Sequence, residues 1–374
     1  MSSILAKQKS AMVDEGLDAL VATAPESVIY TAGFVIPSLR IQGLRRRLAM
    51  AVVTPNANDA LIVVDMESST ARRRSHWFSD IRTYREFDEE ASDVLVQTLQ
   101  EFGLERGQIG IELDHIPAMD YEVIRRQLPE ATFVDASDLF LELRSVKTEA
   151  EIDRLRRAGR AADRAHWQVQ EHARAGMTER EVANMITETL YAHGVEDIGV
   201  LVVASGERSL LPNVAASDRV LQPGDIMRID ILGHIGAYCS DVARTYVVGE
   251  PAAAQAAMWQ KMVDSLNLLK ENIRPGVTSG QLYQMFADKF RSVNLEPYKF
   301  VGHGLGLSVH EHPWIGKESR FDRPLESGMV LCVEPFNFTS EEGYQLEDEV
   351  IVTDDGFELI TDQVDTSRLL QIAA

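Results

Sequence analysis

Cysteine is nearly absent from this 374-residue chain, which has only Cys239 and Cys332. Two thiols cannot build a disulfide framework, so the chain reads as a reduced, cytoplasmic protein that holds together by burial. Long apolar runs are missing too, and none approaches the roughly 20 residues of a membrane helix. The opening MSSILAKQKSAMVDEG lacks the apolar stretch and small-residue cleavage site expected of a signal peptide. Positive charge is scarce: 37 Lys and Arg stand against 58 Asp and Glu, for a net charge of −21. A chain so acidic repels a phosphate backbone, which argues against nucleic acid as a partner. Its basic knots, Arg45-Arg46-Arg47 and Arg72-Arg73-Arg74, read as solvated faces.

What is present is ordinary for a globular protein, with 45% hydrophobic and 25% charged residues, enough apolar matter for real cores. The length exceeds one core, so two domains are expected, 1–145 and 146–374. In the first, apolar β-branched runs at 19–22, 48–53, 61–64, 109–113 and 133–134 alternate with helical patterns at 4–15, 91–102 and 117–126. That alternation predicts an α/β domain. No phosphate-cradling glycine loop interrupts it, so this segment carries architecture without readable chemistry.

Beyond Lys147, Thr148-Glu149-Ala150-Glu151 is a capping box, and Ile152, Leu155, Ala158, Ala162, Ala165 and Val169 repeat at helical spacing. A long amphipathic helix therefore opens the second domain. This domain also repeats itself: 171–194 aligns with 271–294, and both copies carry a Gly-x-Thr turn feeding a capping box, Thr178/Glu181 and Thr278/Gln281. Two helix-plus-strand halves facing across a cleft are expected.

Chemistry-bearing residues follow each copy. After the first, Asp230 interrupts an apolar strand and Asp241 follows eleven positions later. A lone buried carboxylate is costly unless paired or metal-bound. After the second come Gly302-His303-Gly304, then His310, then Gly328-Met329 leading to Glu334-Pro335, and finally Leu346-Glu347-Asp348. The glycines flanking His303 suggest a backbone brought close to a bound group.

In this order the set resembles the pita-bread metallohydrolases, the superfamily of prolidase, aminopeptidase P, methionine aminopeptidase and creatinase. The first domain resembles the creatinase/prolidase-type N-terminal domain, and the second the α+β pita-bread catalytic domain with its internal pseudo-two-fold repeat. The resemblance implies a dinuclear site with Asp230, Asp241, His303, Glu334 and Glu347 as ligands, Asp241 and Glu347 bridging. Asp230 would chelate one ion, while His303 and Glu334 hold the other. Four carboxylates and one imidazole suit manganese first, with cobalt, iron or zinc as alternatives. Two such ions would make a bridging hydroxide at neutral pH, and this would attack an amide or peptide carbonyl. By the same resemblance Glu334 shuttles the proton, and His310 hydrogen-bonds the substrate. His312 is assigned to the surface or to a supporting role, and both cysteines to core packing.

Two positions depart from the family pattern. Asn213 stands where the peptidases commonly carry His, and Gln345 where many carry Arg, so a fixed positive charge near the metals is lost. Both, with His310, are candidate substrate contacts. The implied function is an Xaa-Pro dipeptidase or aminopeptidase acting on a short peptide. The alternatives are a hydrolase of a small non-peptide amide or amidine, like creatinase or ectoine hydrolase, and a non-catalytic binding protein on the same fold. A homodimer is expected, with Tyr30, the 36–40 loop and the Arg45–47 run as candidates to reach the partner's cleft.

Overall fold

The computed structural model describes residues 3–40, 48–56, 58–317 and 322–374. The chain divides into two compact units, Met1–Arg144 and Ser145–Ala374.

In the first unit six strands, β1 (Ala19–Ala22), β2 (Met50–Val53), β3 (Ala60–Val64), β4 (Asp80–Tyr84), β5 (Gln108–Ile111) and β6 (Thr132–Asp135), form one sheet in the order β4-β3-β2-β1-β5-β6. β2 runs antiparallel to β1 and β3, and the outer pairs are parallel. β1, β2 and β3 are apolar and buried along their whole length, as strands covered on both faces must be. The edge strand β4 reads Asp-Ile-Arg-Thr-Tyr and buries only Tyr84, so no apolar run announced it. Arg72, Arg73 and Arg74 form the exposed last turn of the helix Ser68–Arg74, a solvated face.

Tyr30 does not face outward. It is 2% exposed and its hydroxyl donates to the Leu143 carbonyl at 2.9 Å. The side chain is thus used up in its own core, which corrects the expectation that it reaches a partner's cleft. In the 36–40 loop, Ile36 and Ser38 are likewise buried. The Arg45–47 run lies outside the described residues.

The second unit carries two five-stranded sheets. In the first, β7 (Asp197–Ser205), β8 (Ile226–Ile235), β10 (Val242–Val248) and β18 (Leu370–Ile372) follow the order β18-β10-β8-β7, with β9 (Tyr238–Cys239) on β8. The second has the order β12-β11-β13-β16-β17, from β11 (Phe300–Gly304), β12 (Glu311–Gly316), β13 (Val330–Val333), β16 (Asp348–Val352) and β17 (Phe357–Leu359). A hairpin of β14 (Phe336–Phe338) and β15 (Gly343–Gln345) forms a separate two-stranded sheet.

Each five-stranded sheet has its own helix pair and its own core. Helices Glu149–His172 and Glu179–Ala192 pack through Leu190, Ile186 and Val169 on Ile229 and Ile231. Helices Ala253–Asn272 and Ser279–Ser292 pack through Leu266, Phe286 and Phe290 on Val301 and Leu331. The repeat read from sequence extends to backbone detail. Gly176 and Gly276 both take φ near +88°, at +88° and +87°. Their N–H groups donate to Leu221 and Leu325 carbonyls, each at 3.0 Å. Thr178 and Thr278 then cap the next helix through Glu181 and Gln281. The halves meet where the Glu347 N–H donates to the Ala243 carbonyl at 3.0 Å.

Candidate metal centre

β8 lies between β7 and β10, so its backbone donors and acceptors are spent on neighbours and its alternation is rigid. Arg228, Asp230 and Leu232 therefore share one face, and all three line a cavity of about 330 Å³. Asp241, just before β10, enters from the same sheet. From the second sheet, β11 supplies His303, paired across the ladder with Cys332 of β13. Glu334 follows the end of β13, and Glu347 precedes β16. Asp230, Asp241, Glu334 and Glu347 all line the cavity, together with Asn213, His310 and Gln345.

The groups are close. His303 Nε2 lies 3.2 Å from Glu334 Oε1 and 3.5 Å from Asp241 Oδ2. His303 Nδ1 is 3.1 Å from the Gly304 carbonyl. Donation from Nδ1 to that carbonyl leaves Nε2 as the lone-pair nitrogen facing the carboxylates. Ligating atoms of Asp241, His303, Cys332 and Glu347 all lie within 4.8 Å of one another.

Electrostatics make this cluster unstable without counter-charge. Burial, reinforced by Glu334, pushes Asp230 up to about 6 against the pull of Arg228. Asp241 and Glu347 are held well above the carboxylate range by burial and then by neighbouring carboxylates. Asp230 Oδ1, His303 Nε2 and Glu347 Oε2 are buried with no hydrogen-bond partner. Orphaned oxygens and an imidazole lone pair beside crowded carboxylates fit divalent cations, which would answer both charge and valence.

The surroundings fix these side chains. Glu349 Oε1 accepts the Asp241 N–H at 2.6 Å, and burial lifts the Glu349 carboxyl to about 8. The helix Glu149–His172 passes so near that a Cβ on Gly159 would sit 2.1 Å from Glu349 Oε2. Arg244, wholly buried, donates through Nη1 to the Glu347 carbonyl and through Nη2 to Asp348 Oδ1 at 2.9 Å.

Four expectations change. The glycines around His303 do not admit a bound group; they admit neighbouring strands. A Cβ at Gly302 would lie 2.5 Å from the Cys332 carbonyl, and at Gly304 2.1 Å from the His312 carbonyl. Gly304→Ala should accordingly cost about 2 kcal/mol, by overpacking against backbone that cannot yield. An unchanged denaturant midpoint would contradict that. Cys332 is not simple core, because its thiol donates to Glu347 Oε1 at 2.9 Å; Cys239 instead donates to the Gly306 carbonyl at 3.2 Å. His312, offered as a surface or a supporting residue, is buried at 8% exposure, which removes the surface alternative and keeps the other. The positive charge missing at Gln345 is not lost either. Arg228 supplies it from β8, donating through Nη1 to Gln345 Oε1 at 2.7 Å. Strand parity with Asp230 could have flagged Arg228 in the sequence, whereas nothing local could have flagged its contact with Gln345.

His310 sits at the cavity mouth, its ring 4.4 Å from that of His303 and 5.4 Å from that of Trp314, centre to centre. Desolvation, then His303, pushes its imidazole down to about 4, so it is neutral at pH 7.

Comparison with known proteins agrees with this architecture. Residues 5–146 match the Creatinase/Prolidase N-terminal domain and residues 153–354 match Metallopeptidase family M24. Among curated relatives, the "Probable dipeptidase PepE" of Mycobacterium tuberculosis is 41% identical over 59% of this chain, and the match spans 60% of that protein's length. The "Uncharacterized peptidase YqhT" of Bacillus subtilis is 31% identical over 71% of this chain and 75% of its own. Among solved structures, dipeptidase PepE from Mycobacterium ulcerans superposes with a TM-score of 0.85 at 29% identity, covering 99% of this chain and 97% of that one. An Xaa-Pro dipeptidase from Bacillus anthracis gives 0.84 at 27% identity, covering 99% of both. With the fold matched over nearly its whole length and the family pattern over more than half, the chain belongs to metallopeptidase family M24.

Proposed function

We propose that this protein is a metal-dependent hydrolase that cleaves the amide bond of short peptides, with Xaa-Pro dipeptides as its leading substrates. The observation that carries the reading is the convergence of four carboxylates on one cavity, with the buried His303 imidazole against two of them and three orphaned buried atoms among them. Asp230, Asp241, His303, Glu334 and Glu347 would hold two divalent ions, manganese first, because four negative charges balance two dications. Bound there, such ions supply Lewis acidity to the carbonyl and activate water.

This chain's own residues do the rest. The Glu334 carboxylate receives the proton of the attacking water and returns it to the leaving nitrogen. His310, neutral at pH 7, donates one hydrogen bond to the developing oxyanion without needing to change charge. Phe300, Phe336 and Phe338 form an apolar wall, with ring centres 5.5 Å apart for the first pair and 6.1 Å for the second. A pyrrolidine ring packs well on such a surface. Asn213 and Gln345 complete the polar lining.

A second reading rests on those same two residues, which set this cavity apart: a small non-peptide amide or amidine as substrate. We also assign residues 1–145 and 146–374 as separate domains of a cytoplasmic homodimer. A panel of Xaa-Pro dipeptides, longer Xaa-Pro peptides, creatine and ectoine, offered to manganese-loaded protein, decides the substrate. Turnover of none of them would sink the hydrolase reading. His310→Ala should lower kcat by about a hundredfold at unchanged metal content; loss of metal in parallel would make His310 a ligand.

A further inference from the structure

Arg228 is a buried cation beside the centre that the steps above leave unused. It is 1% exposed and makes four hydrogen bonds. Nη1 donates to Gln345 Oε1 at 2.7 Å, and Nη2 donates to the Leu211 and Pro212 carbonyls at 2.5 and 2.6 Å. Nε points to the Ser209 carbonyl at 3.4 Å.

A guanidinium only donates, so the Gln345 amide must turn its oxygen toward Arg228. Its NH₂ is thereby aimed the other way, where Nε2 donates to Asp230 Oδ2 at 3.3 Å. Had the amide been flipped, Nη1 would face an NH₂ and Asp230 would face an oxygen, two repulsive contacts at once. The Gln345 backbone cannot swing to escape: its N–H donates to Thr245 Oγ1 at 2.9 Å, and that hydroxyl donates back to its carbonyl at 2.8 Å. One Asp230 oxygen is therefore held, and the other, Oδ1, stays buried and unpaired.

We propose that Arg228 is a positioning residue with two arms. Through Gln345 it fixes the Asp230 carboxylate in the orientation that leaves Oδ1 free for a cation, and through the Leu211 and Pro212 carbonyls it holds the adjoining Asn213 at the cavity mouth. The first arm acts on metal affinity and the second on substrate binding. This rests on the metal-centre reading given above.

The arms are separable by mutation. Gln345→Met, close in volume but without the amide, breaks only the first. Arg228→Gln breaks both. The exchange Arg228→Gln with Gln345→Arg restores a direct cationic donor to Asp230 while leaving the loop arm broken. The measurement is titration of metal-free protein with Mn²⁺ by calorimetry, alongside KM and kcat for the best dipeptide. Gln345→Met and Arg228→Gln should each weaken Mn²⁺ binding by roughly 10- to 100-fold, the range for groups that orient ligands. Arg228→Gln should also raise KM more than Gln345→Met does. The exchange should recover Mn²⁺ affinity but keep the raised KM, a split that a merely structural arginine does not produce. Mn²⁺ affinity within threefold of wild type in Gln345→Met overturns the proposal, even if Arg228→Gln fails to fold. An exchange variant no better than Arg228→Gln overturns it as well. Wild-type protein that binds neither Mn²⁺, Co²⁺ nor Zn²⁺ would overturn the metal-centre reading, and this proposal with it.

Discussion

Asp241→Asn is expected to abolish metal binding and to reduce turnover by at least about a thousandfold, while the fold survives. Asp241 lies in the most crowded part of the centre, with Oδ2 3.5 Å from His303 Nε2 and its N–H fixed on Glu349. An amide offers one neutral oxygen in place of two that share a negative charge, so it would not serve the two cations proposed above. The stability effect should run the opposite way. Burial and neighbouring carboxylates already hold Asp241 well above its ordinary range, which means its ionised form is disfavoured in the fold. Metal-free Asp241→Asn should therefore melt no lower than metal-free wild type, and it should lose the stabilisation that Mn²⁺ gives the wild type. Metal analysis, melting curves with and without Mn²⁺, and kcat together check this. A variant that keeps its metal and full activity would refute the ligand assignment.

Arg244→Leu should damage the fold itself. Arg244 is fully buried, 2.9 Å from Asp348 Oδ1 and 3.5 Å from Asp163 Oδ1, and it also donates to the Ala243 carbonyl at 3.0 Å. Asp348 keeps Lys270 at 2.7 Å, but no other cation pairs with Asp163 among the described residues. Removing one partner of a buried pair strands charge, with a cost of about 3–5 kcal/mol. For a unit of this size that corresponds to a fall in melting temperature on the order of 10 °C. Adding Asp163→Asn should recover part of the loss, because the stranded carboxylate is then neutral. A double variant no more stable than Arg244→Leu would show that Arg244 acts by packing alone. The Glu347 carbonyl also loses its donor, so Mn²⁺ affinity should fall in parallel.

Much of this was legible in one dimension because it is local. Capping boxes at Thr148, Thr178 and Thr278 mark helix starts, since the groups that cap a helix lie three residues apart in the chain. Buried strands such as β2 and β3 announce themselves by apolar β-branched runs. The edge strand β4 does not, because an edge facing water can be polar without penalty. The acids of the candidate centre were legible for a different reason: only Asp230 interrupts an apolar strand, and the others were singled out because their order along the chain resembles that of a known family.

The sequence by itself determined the family, the fold class and the one acid, Asp230, that interrupts an apolar strand. Only the tertiary structure decided what stands beside it and beside the other acids. Arg228 and Gln345 are 117 positions apart and Cys332 touches Glu347 from the next strand. The glycines of Gly302-His303-Gly304 answer to strand backbones rather than to a ligand. Pairing across a sheet fixes these neighbours, and pairing is a property of the folded chain: hydrophobic periodicity says which face of a strand is buried, but not which strand will lie against it.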